Sequence, residues 1–284
     1  MFTRLRTYLS FVRFSHSLFA LPFALAGAVL AAREHPITGR TLLWILVAMV
    51  AARSAAMGFN RLVDARFDAL NPRTANRELP RGALTTRQAT AFVVVASALF
   101  VLSAIQLGAL CGWLSPLALA IVFWYSLAKR YTTYTQAFLG LAMAVAPVGG
   151  WLAAGGREGW TPWILGLAIG MWVAGFDILY ACQDAAFDRA HGLHSIPATL
   201  GVERALTVSR ALHVVTIVAM AGLALVAPLG AVYLGGVALV AVLLIYEQSL
   251  VSASDLSKVP RAFDLNGYVG FLYLATTTLA LYVG

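Results

Sequence analysis

Apolar residues fill the chain in long runs, which short polar segments separate. The runs are about 18–22 residues long, and a helix needs about 20 to cross a hydrocarbon core of about 30 Å. They predict membrane spans at roughly 15–33, 41–63, 88–108, 110–128, 135–154, 161–182, 203–227, 229–250 and 264–283. The pattern therefore predicts an all-α polytopic membrane protein with about nine transmembrane helices.

Composition supports a membrane protein and limits the other classes. Of the 284 residues, 61% are hydrophobic and only 11% are charged, against roughly 25% charged in ordinary soluble domains. The basic N-terminus and the apolar stretch after it resemble a signal peptide, but we interpret them as an uncleaved first span. Cys111 and Cys182 lie far apart within apolar runs. They predict neither a disulfide nor a zinc site.

The net charge is +8. The Lys and Arg residues lie in short loops between the spans and do not form one basic face, which argues against nucleic-acid binding. Lys and Arg gather before the first span and after the second, fourth, sixth and eighth spans. The opposite loops hold only Arg33, Arg40 and Arg157. The positive-inside rule therefore predicts that the N-terminus and the loops after even-numbered spans are cytoplasmic.

Polar residues form a stripe along the second span, down to its cytoplasmic end. Arg53, Asn60, Asp64 and Asp68 stand at i, i+7, i+11 and i+15, so they share one face of a helix. Arg53 lies within the membrane. It either pairs with an acid, extends to the interface, or holds substrate.

A second stripe lies at the end of the sixth span. Asp177, Tyr180, Asp184 and Asp188 stand at i, i+3, i+7 and i+11. Ionisable groups at membrane depth cost several kcal/mol, so such a group of acids is a functional hypothesis by default.

The two acid pairs suggest an internal repeat. Asp64 and Asp68 are followed 120 residues later by Asp184 and Asp188. Each pair closes an even-numbered span and precedes a polar loop. We interpret residues 1–284 as one integral-membrane domain, in which two related helical bundles surround a central cavity. The bundles would cover roughly residues 15–130 and 135–250.

Carboxylates one helical turn apart suit a hard divalent cation. Mg²⁺ takes one or two carboxylates, keeps several waters and completes its shell with phosphate oxygens. Two facing groups would hold a diphosphate between bridging metals. The sequence therefore predicts Mg²⁺ as the cofactor, with four metal ligands: Asp64, Asp68, Asp184 and Asp188.

Basic residues on the same side suit the same ligand. Arg73 and Arg77 follow the first acid pair, and Lys129 and Arg130 close the fourth span. Such groups clamp phosphate oxygens and stabilise a departing diphosphate, although Lys129 and Arg130 also fit a topological anchor. A diphosphate site in a membrane points to a lipid diphosphate. Loss of diphosphate from a prenyl carbon leaves a carbocation, which aromatic faces stabilise.

Other functions fit these residues less well. A cation-coupled transporter also uses intramembrane acids, but nearer to mid-helix, at broken spans. A CDP-alcohol phosphotransferase uses them too, but its D-G-x-x-A-R core is missing. His191 and His194 form an H-x-x-H pair in the loop after the sixth span, where solvated or capping roles are commoner than metal binding.

At these residues the chain resembles the UbiA superfamily of membrane prenyltransferases over nearly its whole length. The motif N-x-x-x-D-x-x-x-D appears as Asn60, Asp64 and Asp68. The motif D-x-x-Y-A-x-x-D-x-x-x-D appears as Asp177, Tyr180, Ala181, Asp184 and Asp188. The element Y-x-x-x-K-R appears as Tyr125, Lys129 and Arg130. The family's Arg, seven residues before the motif Asn, is Arg53.

The resemblance implies nine transmembrane helices around a central cavity, Mg²⁺-bridged prenyl diphosphate, and electrophilic substitution on an aromatic ring in quinone biosynthesis. It places Arg53 and Asn60 near the acceptor, and Lys129 with the basic loop at the diphosphate. Tyr125 and Tyr180 would also contact substrate. Asp177 would help to bind metal or accept the ring proton.

The acceptor stays open between two carboxylated hydroxyarenes. Arg13-Phe14-Ser15-His16 replaces the R-x-D-K start typical of 4-hydroxybenzoate enzymes. The segments 71–77 and 176–180 are similar to a branch linked to menaquinone synthesis from 1,4-dihydroxy-6-naphthoate. The expected partners are a polyprenyl diphosphate, an aromatic acid and the lipid bilayer of the bacterial inner membrane. Neither a nucleic acid nor a protein partner is implied.

Overall fold

The computed structural model describes residues 2–12, 20–32 and 36–283, with side chains from Arg6 onward. All regular elements within these ranges are helical. The helices are α1 (Phe2–Phe11), α2 (Leu21–Ala31), α3 (Gly39–Leu70), α4 (Thr86–Leu107), α5 (Ala109–Ala128), α6 (Thr135–Ala153), α7 (Thr161–Ala181), α8 (Ala185–Ala190), α9 (Ile196–Leu200), α10 (Val202–Val226), α11 (Gly230–Ser249) and α12 (Val259–Val283).

Seven of the described helices are long and apolar enough to cross a membrane: α3, α4, α5, α6, α7 with its continuation to Ala190, α10 and α11. The predicted all-α membrane fold is therefore confirmed. The first and last predicted spans correspond to α2 and α12. In α2, 11 residues are described, and the apolar run of α12 is interrupted by Asn266 and the threonines at 276–278. Arg13 and Arg33, which bear on the predicted topology, and the segment 13–16, which bears on the acceptor, lie outside the described residues.

α3 carries the first acid pair, and local sequence explains where it ends. Thr38 caps its start by accepting a hydrogen bond from the Thr41 amide at 3.1 Å. Pro72 disfavours helical geometry at the residue before it, and Asn71 is extended with ψ 118°. A capping box of Thr85 and Gln88 then starts α4. Residues 71–85 thus form a loop beside the end of α3.

α7 with its continuation to Ala190 carries the second acid group and is the most enclosed candidate span, with 67% of its apolar window buried. It packs closely against α6 and α10. Trp172 is fully buried and contacts Phe23 with ring centroids 4.8 Å apart. A short 3-10 turn, Cys182–Asp184, then joins α7 to α8. The apolar pattern does not predict this turn or the helices α1, α8 and α9.

Glycines allow α6 to approach its neighbours at backbone distance. A Cβ on Gly150 would lie 1.9 Å from the Ala24 carbonyl oxygen of α2, and one on Gly140 would lie 2.3 Å from the Gly170 oxygen of α7. Within lipid the hydrophobic effect does not drive helices together. Close van der Waals packing does, and small residues at helix crossings allow it. The α2–α6–α7 packing therefore depends on these positions.

Gly150→Val will destabilise the protein, because the new side chain must push α2 away from α6. We expect the free energy of unfolding to fall by about 1–3 kcal/mol, measured by denaturant titration in detergent. The adjacent Gly149→Ala is the matched control, since a Cβ there would have no described neighbour within 4 Å apart from the adjoining backbone of its own helix. Equal losses in the two variants would contradict the close-crossing argument.

Candidate active site

A cavity of about 310 Å³ lies where the ends of α3, α5 and α7 meet. It gathers almost every residue that the sequence singles out. Twelve of the thirteen predicted site residues line it: Arg53, Asn60, Asp64, Asp68, Arg73, Arg77, Tyr125, Lys129, Asp177, Tyr180, Asp184 and Asp188. Arg130 does not line the cavity, although it contacts one of these acids.

The first acid pair is buried and faces cations. Asp64 is 3% exposed and Asp68 is 6% exposed. Lys129 Nζ lies 2.8 Å from Asp64 Oδ2, and Arg77 Nη1 donates to both oxygens of Asp68 at 2.7 and 2.8 Å. Asn60 Nδ2 also reaches Asp64 Oδ2, at 3.3 Å. Buried carboxylates require such partners, because desolvation penalises an unpaired charge.

The second acid group is joined to the loop that follows α3. Arg73 pairs with Asp184 through two guanidinium nitrogens, and Asn71 Nδ2 donates to Asp184 Oδ1 at 3.2 Å. Arg73 Nη1 also donates to the Tyr180 hydroxyl at 2.7 Å. The loop after the first acid pair therefore crosses the cavity and contacts the second group.

Asp177 and Asp188 have different surroundings. Asp188 Oδ2 accepts a hydrogen bond from Ser195 Oγ at 3.1 Å. Asp177 is half-buried and makes no ion pair within the described ranges. Its carboxyl group is therefore available to a ligand or a proton in the cavity.

Lys129 and Arg130 contact the same carboxyl group but differ in their other bonds. Arg130 donates to the backbone oxygens of Ser126 at 2.9 Å and Val63 at 2.6 Å, and to Asp64 Oδ1 at 2.9 Å. It therefore ties the end of α5 to the end of α3. Lys129 lines the cavity, and Asp64 is its ion-pair partner.

Several cavity residues are not predicted from the sequence. In the sequence, Asn71 is notable only as the first residue of the segment 71–77. Ser195 and Gln136 belong to no motif. Gln136 is 2% exposed and accepts a hydrogen bond from the Ile196 amide at 3.2 Å. These contacts are tertiary and leave no periodic pattern along the chain.

The two loop histidines have different surroundings. Both are exposed, and His191 stacks on Phe187 with ring centroids 4.0 Å apart. His194 lines the cavity, and its amide donates to the Lys129 carbonyl at 2.7 Å. The loop therefore packs its backbone against the end of α5, while only one of the two histidines faces the cavity.

A larger, apolar cavity of about 560 Å³ continues from the polar one. The two share five lining residues: Arg53, Met57, Tyr125, Leu139 and Met143. Leu117, Leu141 and Leu167 line the apolar cavity and are exposed on the outside of the bundle, so the cavity reaches the membrane-facing surface. Arg53 Nε is buried at the junction and has no hydrogen-bond partner among the described residues. A polar head and an apolar tail of one ligand would fit the two compartments.

The donor set suits a cation that takes few protein ligands. Among the residues described, no three His, Cys, Asp or Glu side chains converge as a ready metal site. The acids instead contribute carboxylate oxygens from two separate helix ends. Mg²⁺ fits this arrangement, because it binds through one or two carboxylates and takes its remaining ligands from water and phosphate.

Comparisons with known proteins identify a family and a fold. The model of the "UbiA prenyltransferase family" matches residues 20–275. A protein of Edwardsiella ictaluri named 4-hydroxybenzoate octaprenyltransferase is 30% identical over 243 residues, which is 86% of this chain and 84% of that protein. One of the same name from Citrobacter koseri is 31% identical over 246 residues, covering 85% and 84%.

Solved structures share the fold. A UbiA homolog from Aeropyrum pernix K1, in its apo form, is 36% identical, with a TM-score of 0.85 over 94% of this chain and 98% of that chain. A UbiA homolog from Archaeoglobus fulgidus, bound to GPP and Mg²⁺, is 20% identical. Its TM-score is 0.73 over 98% of this chain and 100% of that chain. At that identity the likeness concerns the fold alone.

Arg130→Ala will destabilise the protein more than Lys129→Ala, because it removes bonds that tie α5 to α3. We expect a loss of about 2–3 kcal/mol in the free energy of unfolding for Arg130→Ala and about 1 kcal/mol for Lys129→Ala, because Asp64 keeps Arg130 as a partner in the second variant. Denaturant titration in detergent measures both. A larger loss for Lys129→Ala would refute the structural role given to Arg130.

Proposed function

The chain belongs to the UbiA prenyltransferase family, and on that premise we propose that it transfers a polyprenyl group from a polyprenyl diphosphate to a carboxylated hydroxyarene. The observation that carries the proposal is the continuity of two compartments. One holds two acid groups and several cations, and the other is apolar and reaches the lipid side. A lipid diphosphate has the same division between a charged head and an apolar tail.

The metal site in this proposal consists of Asp64, Asp68, Asp184 and Asp188. Mg²⁺, when bound, supplies positive charge that neutralises the diphosphate and favours its departure. Support comes from the four carboxylates, which all line the polar cavity, and from the fold relative of Archaeoglobus fulgidus, which is bound to GPP and Mg²⁺. The proposal makes this a Mg²⁺-dependent aromatic prenyltransferase.

Arg73, Arg77 and Lys129 are the proposed diphosphate clamps. All three line the polar cavity and already lie within ion-pair distance of its acids. Their donors therefore surround the space between the two acid groups, where a diphosphate would lie. Charge-assisted bonds to its oxygens stabilise the leaving group as negative charge develops.

The prenyl tail would occupy the apolar cavity, with its reactive carbon near Tyr125 and Tyr180. The allylic C–O bond breaks, and its electron pair leaves with diphosphate. The resulting cation is stabilised by aromatic faces. A ring carbon of the acceptor then forms the new C–C bond, and the same carbon loses its proton to a base.

Arg53 and Asn60 are the proposed acceptor residues. Arg53 lies at the junction of the two cavities, and its Nε has no hydrogen-bond partner in the described part of the chain, so its guanidinium can bind the acceptor carboxylate there. Asp177 lines the same cavity without an ion-pair partner within the described ranges. We assign it the ring proton, because a base held by a cation is a weaker proton acceptor.

The acceptor is proposed to be 4-hydroxybenzoate, in ubiquinone biosynthesis, because the relatives from Edwardsiella ictaluri and Citrobacter koseri carry that name. The alternative acceptor is 1,4-dihydroxy-6-naphthoate, because the segments 71–77 and 176–180 are similar to a branch linked to that compound. Both acceptors pair a carboxylate with an electron-rich ring. Arg53 would bind either one.

We also propose that the chain is built from two related helical bundles. α4 packs along α3 just as α10 packs along α7, so each acid-bearing helix has an equivalent neighbour. This supports an internal repeat of roughly residues 15–130 and 135–250. The basic loops also favour an inner-membrane protein with its N-terminus and active-site loops in the cytoplasm.

Membranes containing the protein, Mg²⁺ and a labelled polyprenyl diphosphate will form prenylated product when the two acceptors compete. We expect one acceptor to dominate. Asp64→Asn and Asp184→Asn should lower the rate at least about 100-fold, because each removes a metal ligand. Product is measured by chromatography of the labelled lipid.

Asp255→Asn is the control, because this acid lies on an exposed loop outside the cavity. It should retain the wild-type rate. Product formation without Mg²⁺ would overturn the metal assignment. An intact diphosphate with every acceptor would overturn transfer itself, and movement of a labelled cation instead would favour a transporter.

Gly149→Leu will shift the enzyme toward shorter prenyl chains. Gly149 lines the apolar cavity, and open space surrounds the position of an added Cβ, so the new side chain occupies volume that a long tail would use. We expect the ratio of kcat/KM for long over short prenyl diphosphates to fall about tenfold. Gly149→Ala is the control, and an unchanged ratio in the Leu variant would exclude this cavity as the tail site.

A further inference from the structure

A chain of buried polar side chains joins α11, α12 and α7 outside the site cavity. Glu247, Asn266 and Trp172 are at most 1% exposed. Asn266 Nδ2 donates to Glu247 Oε1 at 2.8 Å, and Trp172 Nε1 donates to Asn266 Oδ1 at 2.8 Å. Polar groups within an apolar bundle are costly unless they are hydrogen-bonded. These bonds therefore fix the depth and rotation of α7 relative to α11 and α12.

A second polar link reaches α7 almost at the same level. Ser209 Oγ of α10 donates to the Gly175 carbonyl at 2.7 Å, and Gln248 Nε2 of α11 donates to Ser209 Oγ at 2.8 Å. A Cβ on Gly175 would lie 2.4 Å from His213 Cδ2, so α10 is in close contact with α7 here. Both links lie just before Asp177 on α7.

Aromatic contacts connect this chain to the site. The Trp172 ring packs edge-on against Phe176 with centroids 5.1 Å apart. Phe176 packs against Phe263 at 5.8 Å, and Phe263 contacts Tyr180 at 5.1 Å. Phe176, Phe263 and Tyr180 all line the polar cavity. A shift of Asn266 would thus move the cavity wall next to the second acid group.

We infer that Glu247 and Asn266 are positioning residues that hold the C-terminal end of α7, which carries Asp177 and leads into Asp184 and Asp188, where these acids face those of α3. The inference rests on the proposed function, since it concerns the same Mg²⁺ and diphosphate site. Glu247 has no cationic partner within the described ranges, and its Oε2 accepts no hydrogen bond from them. Its contribution is therefore the hydrogen bond that Oε1 accepts and the volume of its side chain.

This assignment separates two substitutions of Glu247. Glu247→Gln keeps an oxygen that can accept from Asn266, so it should preserve the position of α7. Glu247→Leu removes the nearest acceptor of the Asn266 amide, which then keeps only its longer contacts to the Ala262 and Phe263 carbonyls, at 3.2 and 3.3 Å. Asn266→Leu removes the acceptor of Trp172 Nε1. A role that requires only buried volume would make the Leu variants equal to the wild type.

The experiment compares the full-length wild type with Asn266→Leu, Glu247→Leu and Glu247→Gln in detergent. It measures KM for prenyl diphosphate, the Mg²⁺ concentration for half-maximal rate, and kcat. It also measures the rise in unfolding midpoint that Mg²⁺ with inorganic diphosphate causes. Both Leu variants should raise KM and the Mg²⁺ requirement at least about tenfold, because small misplacements of site groups are costly. They should also lose most of the rise in unfolding midpoint that Mg²⁺ with diphosphate causes. In Glu247→Gln, KM and the Mg²⁺ requirement should stay within about twofold of the wild type.

Tyr233→Phe is the matched control for a lost buried hydrogen bond. The Tyr233 hydroxyl donates to the Met220 carbonyl at 2.8 Å and lies 3.0 Å from the Tyr273 hydroxyl, so it joins α10, α11 and α12 but not α7. This variant should lower the unfolding midpoint of the free protein while keeping KM and the ligand-induced rise. If the Leu variants behave in the same way, the residues are only structural and the inference is overturned.

Two further outcomes are distinguishable. If Asn266→Leu does not fold, Trp172→Phe replaces it, because it removes the Nε1–H donor and keeps an aromatic ring near Phe176; the same criteria apply. If the wild type binds Mg²⁺ and diphosphate but forms no product, the proposed function is overturned. The ligand-induced rise in the Leu variants and the wild type then still tests the positioning role. A wild type that shows no ligand-induced rise overturns both.

Discussion

The requirement to keep several carboxylates inside a membrane bundle governs this structure. Asp64 and Asp68 are nearly inaccessible, and desolvated charges of one sign are costly without cations close by. The fold meets this requirement by placing Lys129 at the end of α5 and Arg77 on the loop after α3. The positions of the helix ends, the length of α3 and the course of the loop all serve the same pairing of charges.

That pairing joins the two acid groups as well as neutralising them. Asn71 and Arg73 follow the first acid pair in the chain, yet both contact Asp184 in the second. The polar cavity is therefore lined by side chains that bond across segments far apart in sequence. α7 is held from its other side by Asn266 of α12 and Ser209 of α10, so the second group is fixed both at its loop and within the bundle.

Much of this arrangement can be predicted from the sequence. Apolar runs identify the spans, because the bilayer imposes a length on each one. Helical spacing places Asn60 and Asp64 on one face, and twelve of the thirteen predicted residues do line one cavity. Arg130 is the exception, because its motif suggests a substrate contact while two of its donated bonds go to backbone oxygens of α3 and α5. Glu247 and Asn266 escape prediction because one polar residue in an apolar span does not reveal its partner on another helix.

The junction of the two cavities at Arg53 and Tyr125 has a consequence for how the products leave the protein. With the polar compartment at the basic loops and the apolar compartment open beside Leu117 and Leu167, the two products of the proposed reaction have separate exits. The prenylated ring can diffuse sideways into lipid, while the diphosphate departs into water. Neither has to pass the other, so a long hydrophobic product need never cross the aqueous surface between turnovers.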